Sequence, residues 1–178
     1  NKRISCRNFG ISTLTITQLY LRQEQLATKI KWIMSTLERA IEIARQAHAG
    51  QVDKGGADYI GHPLRVMESG ENEEHKIVGI LHDVVEDSDW TFEMLEEEGF
   101  SDEIIDALRC ITKQSEDEDY DAFISRVMTS PLSLKVKLYD LEDNMDLSRL
   151  KCITEADLIR YEKYKRVHNR LVEEIGKF

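Results

Sequence analysis

The chain has 178 residues, 41% apolar and 33% charged, enough of both for one packed domain with or without an arm. Three unevenly spaced cysteines, Cys6, Cys110 and Cys152, exclude a disulfide scaffold and read as reduced thiols of a cytosolic protein. The net charge is −10, and no apolar run of about 18 residues occurs, so neither general nucleic-acid binding nor a membrane span is expected.

The charge is unevenly spread. Residues 1–33 carry Lys2, Arg3, Arg7, Arg22, Lys29 and Lys31 against Glu24 alone, which leaves the rest of the chain strongly acidic. This stretch lacks a clear period. It shares some composition with an organelle transit peptide but reads better as upstream sequence or a weakly ordered extension, with the natural start near Met34 and one domain over 34–178.

From there the signals are helical. Ser35-Thr-Leu-Glu38 reads as a capping box, followed by Leu37, Ala40, Ile41, Ala44, Ala47 and His48 on one helix face that ends near Gly50. A glycine-bearing loop runs from Gln51 to Gly61, and Pro63 opens a short helix, Leu64 to Met67. After a polar loop, a helix is predicted from about His75 to Asp87, with Ile77, Ile80, Leu81, Val84 and Val85 inside. Thr91–Glu98 reads as a short helix stopped by Gly99. Ser101 caps the next, with Ile104, Ile105, Leu108 and Ile111 buried. Glu116–Asp119 reads as a solvated loop. Tyr120 to Met128 and Leu134 to Met145 follow as helices separated by Ser130-Pro131, and Thr154-Glu-Ala-Asp157 starts a long last helix through Leu171. No stretch alternates as a strand does. The expected fold is all-α, with about seven or eight helices and no internal repeat.

Chemistry concentrates in three places inside these apolar helices. His82-Asp83 is followed one turn later by Glu86-Asp87, so at helical spacing His82 stacks over Glu86 and Asp83 over Asp87. Four ionisable groups among Leu81, Val84 and Val85 are costly to bury without a counter-charge, which a divalent metal supplies. Asp140 ends the run Val136-Lys-Leu-Tyr-Asp140, with Asn144 a turn later, and His62 lies between a glycine loop and a helix-starting proline. A single buried histidine is ordinarily a hydrogen-bonded core residue, and a lone His-Asp pair is common by chance. The joint occurrence of His62, His82, Asp83 and Asp140 in such contexts is what points to a site. His48 is expected to pack near that site without ligating, and His75 and His168 to be structural or superficial.

These stretches together resemble the HD-domain metal phosphohydrolases, and most nearly their alarmone-hydrolase branch, the hydrolase domain of Rel/SpoT proteins and the small alarmone hydrolases. The matching segments are Ala47-His-Ala-Gly-Gln-Val-Asp-Lys54, Tyr59-Ile-Gly-His-Pro63, Leu81-His-Asp-Val-Val-Glu-Asp87 and Val136 to Asp140 with Asn144-Met145. The resemblance implies an HD-domain helical bundle in which His62, His82, Asp83 and Asp140 bind one divalent metal, usually Mn²⁺. It implies that Glu86 and Asp87 are catalytic carboxylates and that Lys54 and Asn144 contact substrate. Two imidazoles and two carboxylates leave open positions on an octahedral ion for water and a phosphate oxygen. Glu86 and Asp87 can then orient that water and move its proton. The activity implied is hydrolysis of (p)ppGpp to GDP or GTP and pyrophosphate. A phosphatase for another nucleotide or phosphorylated dinucleotide is the alternative enzyme, and a non-catalytic nucleotide-binding domain the alternative class.

The chain departs from the family pattern at three points. Asp53 stands where an arginine usually packs on the guanine base, Leu141 replaces a basic residue after the metal-site aspartate, and Leu147 replaces a threonine. The substrate is therefore expected to be recognised more by its phosphates than by its base, with Lys113, Lys135 and Lys137 as possible helpers of Lys54. At this length the chain is too short to hold a synthetase domain after the hydrolase domain, so alarmone synthesis is not expected.

Overall fold

A computed structural model describes residues 36–176, apart from 116 and 151. The basic segment 1–33 and Ser35 lie outside the described residues. Among the described residues, eight α-helices of seven residues or more and one single-turn helix follow in order: α1 Leu37–Ala47, α2 Gly61–Glu68, α3 Glu73–Leu81, α4 Val84–Asp87, α5 Phe92–Glu98, α6 Asp102–Ile111, α7 Tyr120–Val127, α8 Pro131–Met145 and α9 Glu155–Ile175. A 3₁₀ turn, Leu147–Arg149, joins the last two. Among the described residues the only β contact is an isolated bridge between Val52 and Asp58.

The ends of the helices follow side-chain chemistry. Asn72, Thr91, Ser101, Asp119, Ser130 and Thr154 each accept a hydrogen bond from a backbone N–H of the first turn. At α9 the box is reciprocal, because Asp157 also accepts from the Thr154 N–H. Gly99 ends α5 at φ 93°, a left-handed conformation that glycine adopts without a Cβ penalty. The first helix departs from expectation. Its cap is Thr36, accepting from the Arg39 N–H, so the third helical position is Arg39 and not Glu38. Its fully buried residues are Ala40, Ile43 and Ala44, whereas Ile41 only packs at the margin.

Two apolar cores share one helix. The larger is built from α1, α3 and α6 with Val66, Val84, Leu95 and Phe100, and takes Leu132 and Val136 from α8. The smaller unites Phe123, Ile124 and Val127 of α7 with Leu171 of α9 and takes Leu134, Leu138 and Leu141 from the other side of α8. Helix α8 therefore has apolar neighbours on two sides, which agrees with the absence of one polar stripe along it. Ser133, fully buried, meets its needs by donating to the Ala107 carbonyl oxygen at 2.8 Å.

Close approach of α2 and α3 brings the first two site residues together. Gly79 lies against α2 so tightly that a Cβ there would be 3.2 Å from both the Met67 Cα and its nitrogen. The helix expected to run unbroken from His75 to Asp87 instead stops at Leu81. His82 and Asp83 form the joint before α4, Asp83 at φ −99° and ψ −6°, a sparsely populated conformation common at functional sites.

Candidate metal centre and substrate cleft

Three parts of the chain deliver four polar groups to one point between the two cores. His62 comes from the first turn of α2, His82 and Asp83 from the α3–α4 joint, and Asp140 from the middle of α8. His62 Nε2 lies 3.2 Å from Asp140 Oδ1 and 3.6 Å from Asp83 Oδ2. His82 Nε2 lies 3.0 Å from Asp83 Oδ2 and 3.7 Å from Asp140 Oδ1. All four residues predicted as metal ligands are thus brought together, and donor atoms of His62, His82 and Asp83 lie within 4.8 Å of one another.

Each of these side chains is held from behind. His82 Nδ1 donates to the Gly79 carbonyl at 2.8 Å, which turns Nε2 inward, where that buried nitrogen has no hydrogen-bond partner. His62 Nδ1 is 2.6 Å from Asp143 Oδ2. Tyr59 donates its hydroxyl to Asp83 Oδ2 at 2.6 Å, and burial together with that carboxylate raises the phenol pKa. Asp140 receives Lys137 Nζ on Oδ2 at 2.7 Å and Asn144 Nδ2 on Oδ1 at 2.6 Å.

The electrostatics favour added positive charge. Burial works against a proton on His82, yet the Asp83 and Asp140 carboxylates outweigh it and raise the imidazole well above its ordinary value. His62 is raised in the same way, burial opposing and hydrogen bonds to Asp140 and Asp143 prevailing. Two inward-facing imidazole nitrogens beside two carboxylates, the buried His82 Nε2 near both yet hydrogen-bonded to neither, fit a divalent cation with mixed N and O ligands.

The centre forms the floor of a cleft of about 480 Å³. Glu86 lines it, accepting a hydrogen bond from the Lys113 backbone N–H at 3.2 Å. Asp87 does not line it; burial and the Asp83 and Glu86 charges raise its carboxyl pKa. Neighbouring residues of a helix point to different sides, so α4 turns only Glu86 toward the cleft to which the sequence spacing had assigned both carboxylates. Lys54, Asn144, Lys113 and Lys137 line the cleft, whereas Lys135 points elsewhere and pairs with Glu71 at 3.2 Å. Asn144, expected at the substrate, spends its amide on Asp140.

Several lining residues were not foreseen. Arg160, Lys163 and Tyr164 of α9 and Arg65 of α2 all face the cleft, and Lys163 Nζ lies 3.6 Å from the Tyr120 ring centre. Spacing offered a signal for Arg65, one helical turn after His62. Asp53 is more than a missing arginine, since its Oδ1 accepts from the Gly55 and Ala57 N–H groups at 2.8 and 2.9 Å and closes its own loop. Leu141 is buried in the smaller core. In the 116–119 run, Glu118 is not solvated, because it pairs with Arg126 and accepts from the Gln114 N–H, and Asp119 caps α7. His48 behaves as expected, buried with its ring 5.0 Å from Tyr59 and Nδ1 2.8 Å from Gln51 Oε1.

No family model matches the chain. It is 34% identical over 128 residues to a probable GTP pyrophosphokinase of Mycobacterium leprae, a match covering 65% of this chain and 16% of that protein. It is 30% identical over 148 residues to a guanosine-3′,5′-bis(diphosphate) 3′-pyrophosphohydrolase of Aquifex aeolicus, covering 77% of this chain and 20% of that protein. A solved structure of a metazoan SpoT orthologue, described as hydrolysing ppGpp, superposes with a TM-score of 0.63 at 21% identity, covering 79% of this chain and 94% of that one. The chain is a homologue of the Rel/SpoT enzymes. This Rel/SpoT homologue shares the all-α fold of the SpoT orthologue and spans about a fifth or less of the curated relatives it matches. Among the described residues no helix is long and apolar enough to cross a membrane.

Proposed function

We propose that the chain is a divalent-metal phosphohydrolase that cleaves the 3′-phosphoester of guanosine 3′,5′-bis(diphosphate), giving GDP and pyrophosphate. The observation that carries this reading is the convergence of His62, His82, Asp83 and Asp140 at the floor of a cleft that also presents lysines. His62, His82, Asp83 and Asp140 would hold the ion, Mn²⁺ on the resemblance noted above. When bound, such an ion polarises a phosphoryl oxygen and lowers the pKa of a bound water.

The chain's own residues supply the rest. Glu86, at the cleft wall with its carboxylate tied to the Lys113 N–H, takes the proton of the attacking water. Asp87, next to it and with its pKa raised, tunes the field at Glu86 from behind. The water oxygen bonds to phosphorus, the bond from phosphorus to the 3′-oxygen breaks, and that oxygen leaves and takes up a proton from the open cleft. Lys54, Lys113 and Lys137 offset the phosphate charge.

The test is to incubate the metal-loaded chain with ppGpp and measure phosphate and pyrophosphate separately. Equimolar GDP and pyrophosphate, lost on chelation and restored by Mn²⁺, is the expected result. Release of inorganic phosphate alone would mark a different phosphatase, and binding without turnover a nucleotide-binding module.

A further inference from the structure

We infer that Asp143 is a positioning residue for the metal centre, fixing which nitrogen His62 presents and tying that ligand to the substrate-facing segments of the cleft. The inference rests on the metal reading given above. No sequence motif singles out Asp143, yet its carboxylate is the most heavily bonded near the site. Its Oδ2 lies 2.6 Å from His62 Nδ1. Arg65 donates from Nε to Oδ1 at 2.6 Å and from Nη2 to Oδ2 at 3.1 Å. Arg149 donates from Nη1 to Oδ1 at 2.6 Å and from Nη2 to Oδ2 at 3.1 Å, and also to the Asp143 main-chain oxygen.

Two consequences follow from this geometry. A carboxylate held at Nδ1 fixes the plane of the ring, so Nε2 is the nitrogen that faces Asp140 and Asp83. Asp143 also offsets two guanidinium groups that would otherwise stand beside His62 and repel a divalent cation. The same contact links separate parts of the cleft. Arg65 belongs to α2 with His62, whereas Arg149 belongs to the 3₁₀ turn, whose main chain lies so near the loop carrying Lys54 that a Cβ on Gly55 would be 3.4 Å from the Arg149 oxygen.

The experiment titrates Mn²⁺ into the full chain, reading the free ion by electron paramagnetic resonance, for wild type, Asp143→Ala and Asp143→Asn. Melting of each metal-free protein monitors folding. Asp143→Ala should raise the Mn²⁺ Kd about 10- to 100-fold. Asp143→Asn keeps an acceptor for His62 but leaves the arginines without a counter-charge, so its Kd should fall between. If the alanine variant does not fold, the asparagine variant decides. A folded variant that binds Mn²⁺ within twofold of wild type, whatever its melting temperature, would overturn the inference while leaving the metal reading intact. Wild type without saturable Mn²⁺ binding would overturn the metal reading and the inference with it.

Discussion

The two walls of the cleft are held in different ways. On the metal side, His62, His82, Asp83 and Asp140 each have a second contact that fixes the side chain, from Asp143, Gly79, Tyr59, and Lys137 with Asn144. On the α9 side, Lys163 rests on the face of Tyr120 and Arg160 pairs with Asp157 at 3.0 Å, contacts made near the surface. The metal wall is preorganised, so its electrostatics need little rearrangement during the reaction. The α9 wall, held by contacts nearer the surface, would adapt to the shape of the nucleotide proposed as substrate. Changes at the four held side chains should act on metal affinity and folding together, and changes at the cleft-facing cations of α9 on substrate affinity alone.

The sharpest way to break that contrast is Glu86→Gln. It should lower kcat by about 10²–10⁴-fold with Mn²⁺ content near wild type, measured by elemental analysis of the same sample. Parallel loss of metal would move Glu86 among the ligands. Next is Asp140→Ala, which leaves the Lys137 ammonium buried beside Phe123 without its carboxylate. Removing one member of a buried pair costs roughly 3–5 kcal/mol, so metal-free urea unfolding should shift by that amount. A shift below about 1 kcal/mol would mean that water reaches Lys137 and that this wall is not rigid.

How much of this was legible in the sequence depends on the kind of contact involved. The caps at Ser101 and Thr154, the stop at Gly99 and the burial of Ile104, Ile105, Leu108 and Ile111 are local features, read correctly from spacing and residue type. The convergence of His62, His82, Asp83 and Asp140 was legible because each sits in a distinctive motif. The break at His82 was not, since Val84 and Val85 continue the apolar period across it and no proline or glycine marks the joint. Nor was the part played by Asp143, whose contacts to His62 and Arg65 span 81 and 78 residues. A long-range pairing of that kind leaves no periodic trace, and a single acid among acids reads as surface.

The smaller core offers a test of intermediate size. Leu171→Ala removes the one fully buried residue of α9 and should cost about 2–5 kcal/mol by urea unfolding. Mn²⁺ affinity of the folded fraction should stay unchanged. A matching fall in Mn²⁺ affinity would show that the α9 side helps to hold Asp140 in place. The smallest effect expected is for Lys163→Ala, an exposed cation whose loss should weaken nucleotide binding by up to about 1 kcal/mol, or roughly fivefold. It should raise KM and leave kcat alone. A fall in kcat with unchanged KM would place Lys163 at the reacting phosphate.

The sharing of α8 between two cores sets the smallest piece of this chain that can fold. A fragment ending at Leu150 would retain every proposed metal ligand but uncover Leu134, Leu138 and Leu141 on the side that Leu171 closes, leaving them only the α7 residues of that core. Each such side chain contributes roughly 1.5–3 kcal/mol when buried, a large share of the 5–15 kcal/mol of a typical domain. The last helix, which donates none of the proposed metal ligands, is thus a packing partner of α8. Its removal by proteolysis or by a premature stop would take Arg160, Lys163 and Tyr164 from the cleft and unsettle α8, while leaving every proposed metal ligand in the chain.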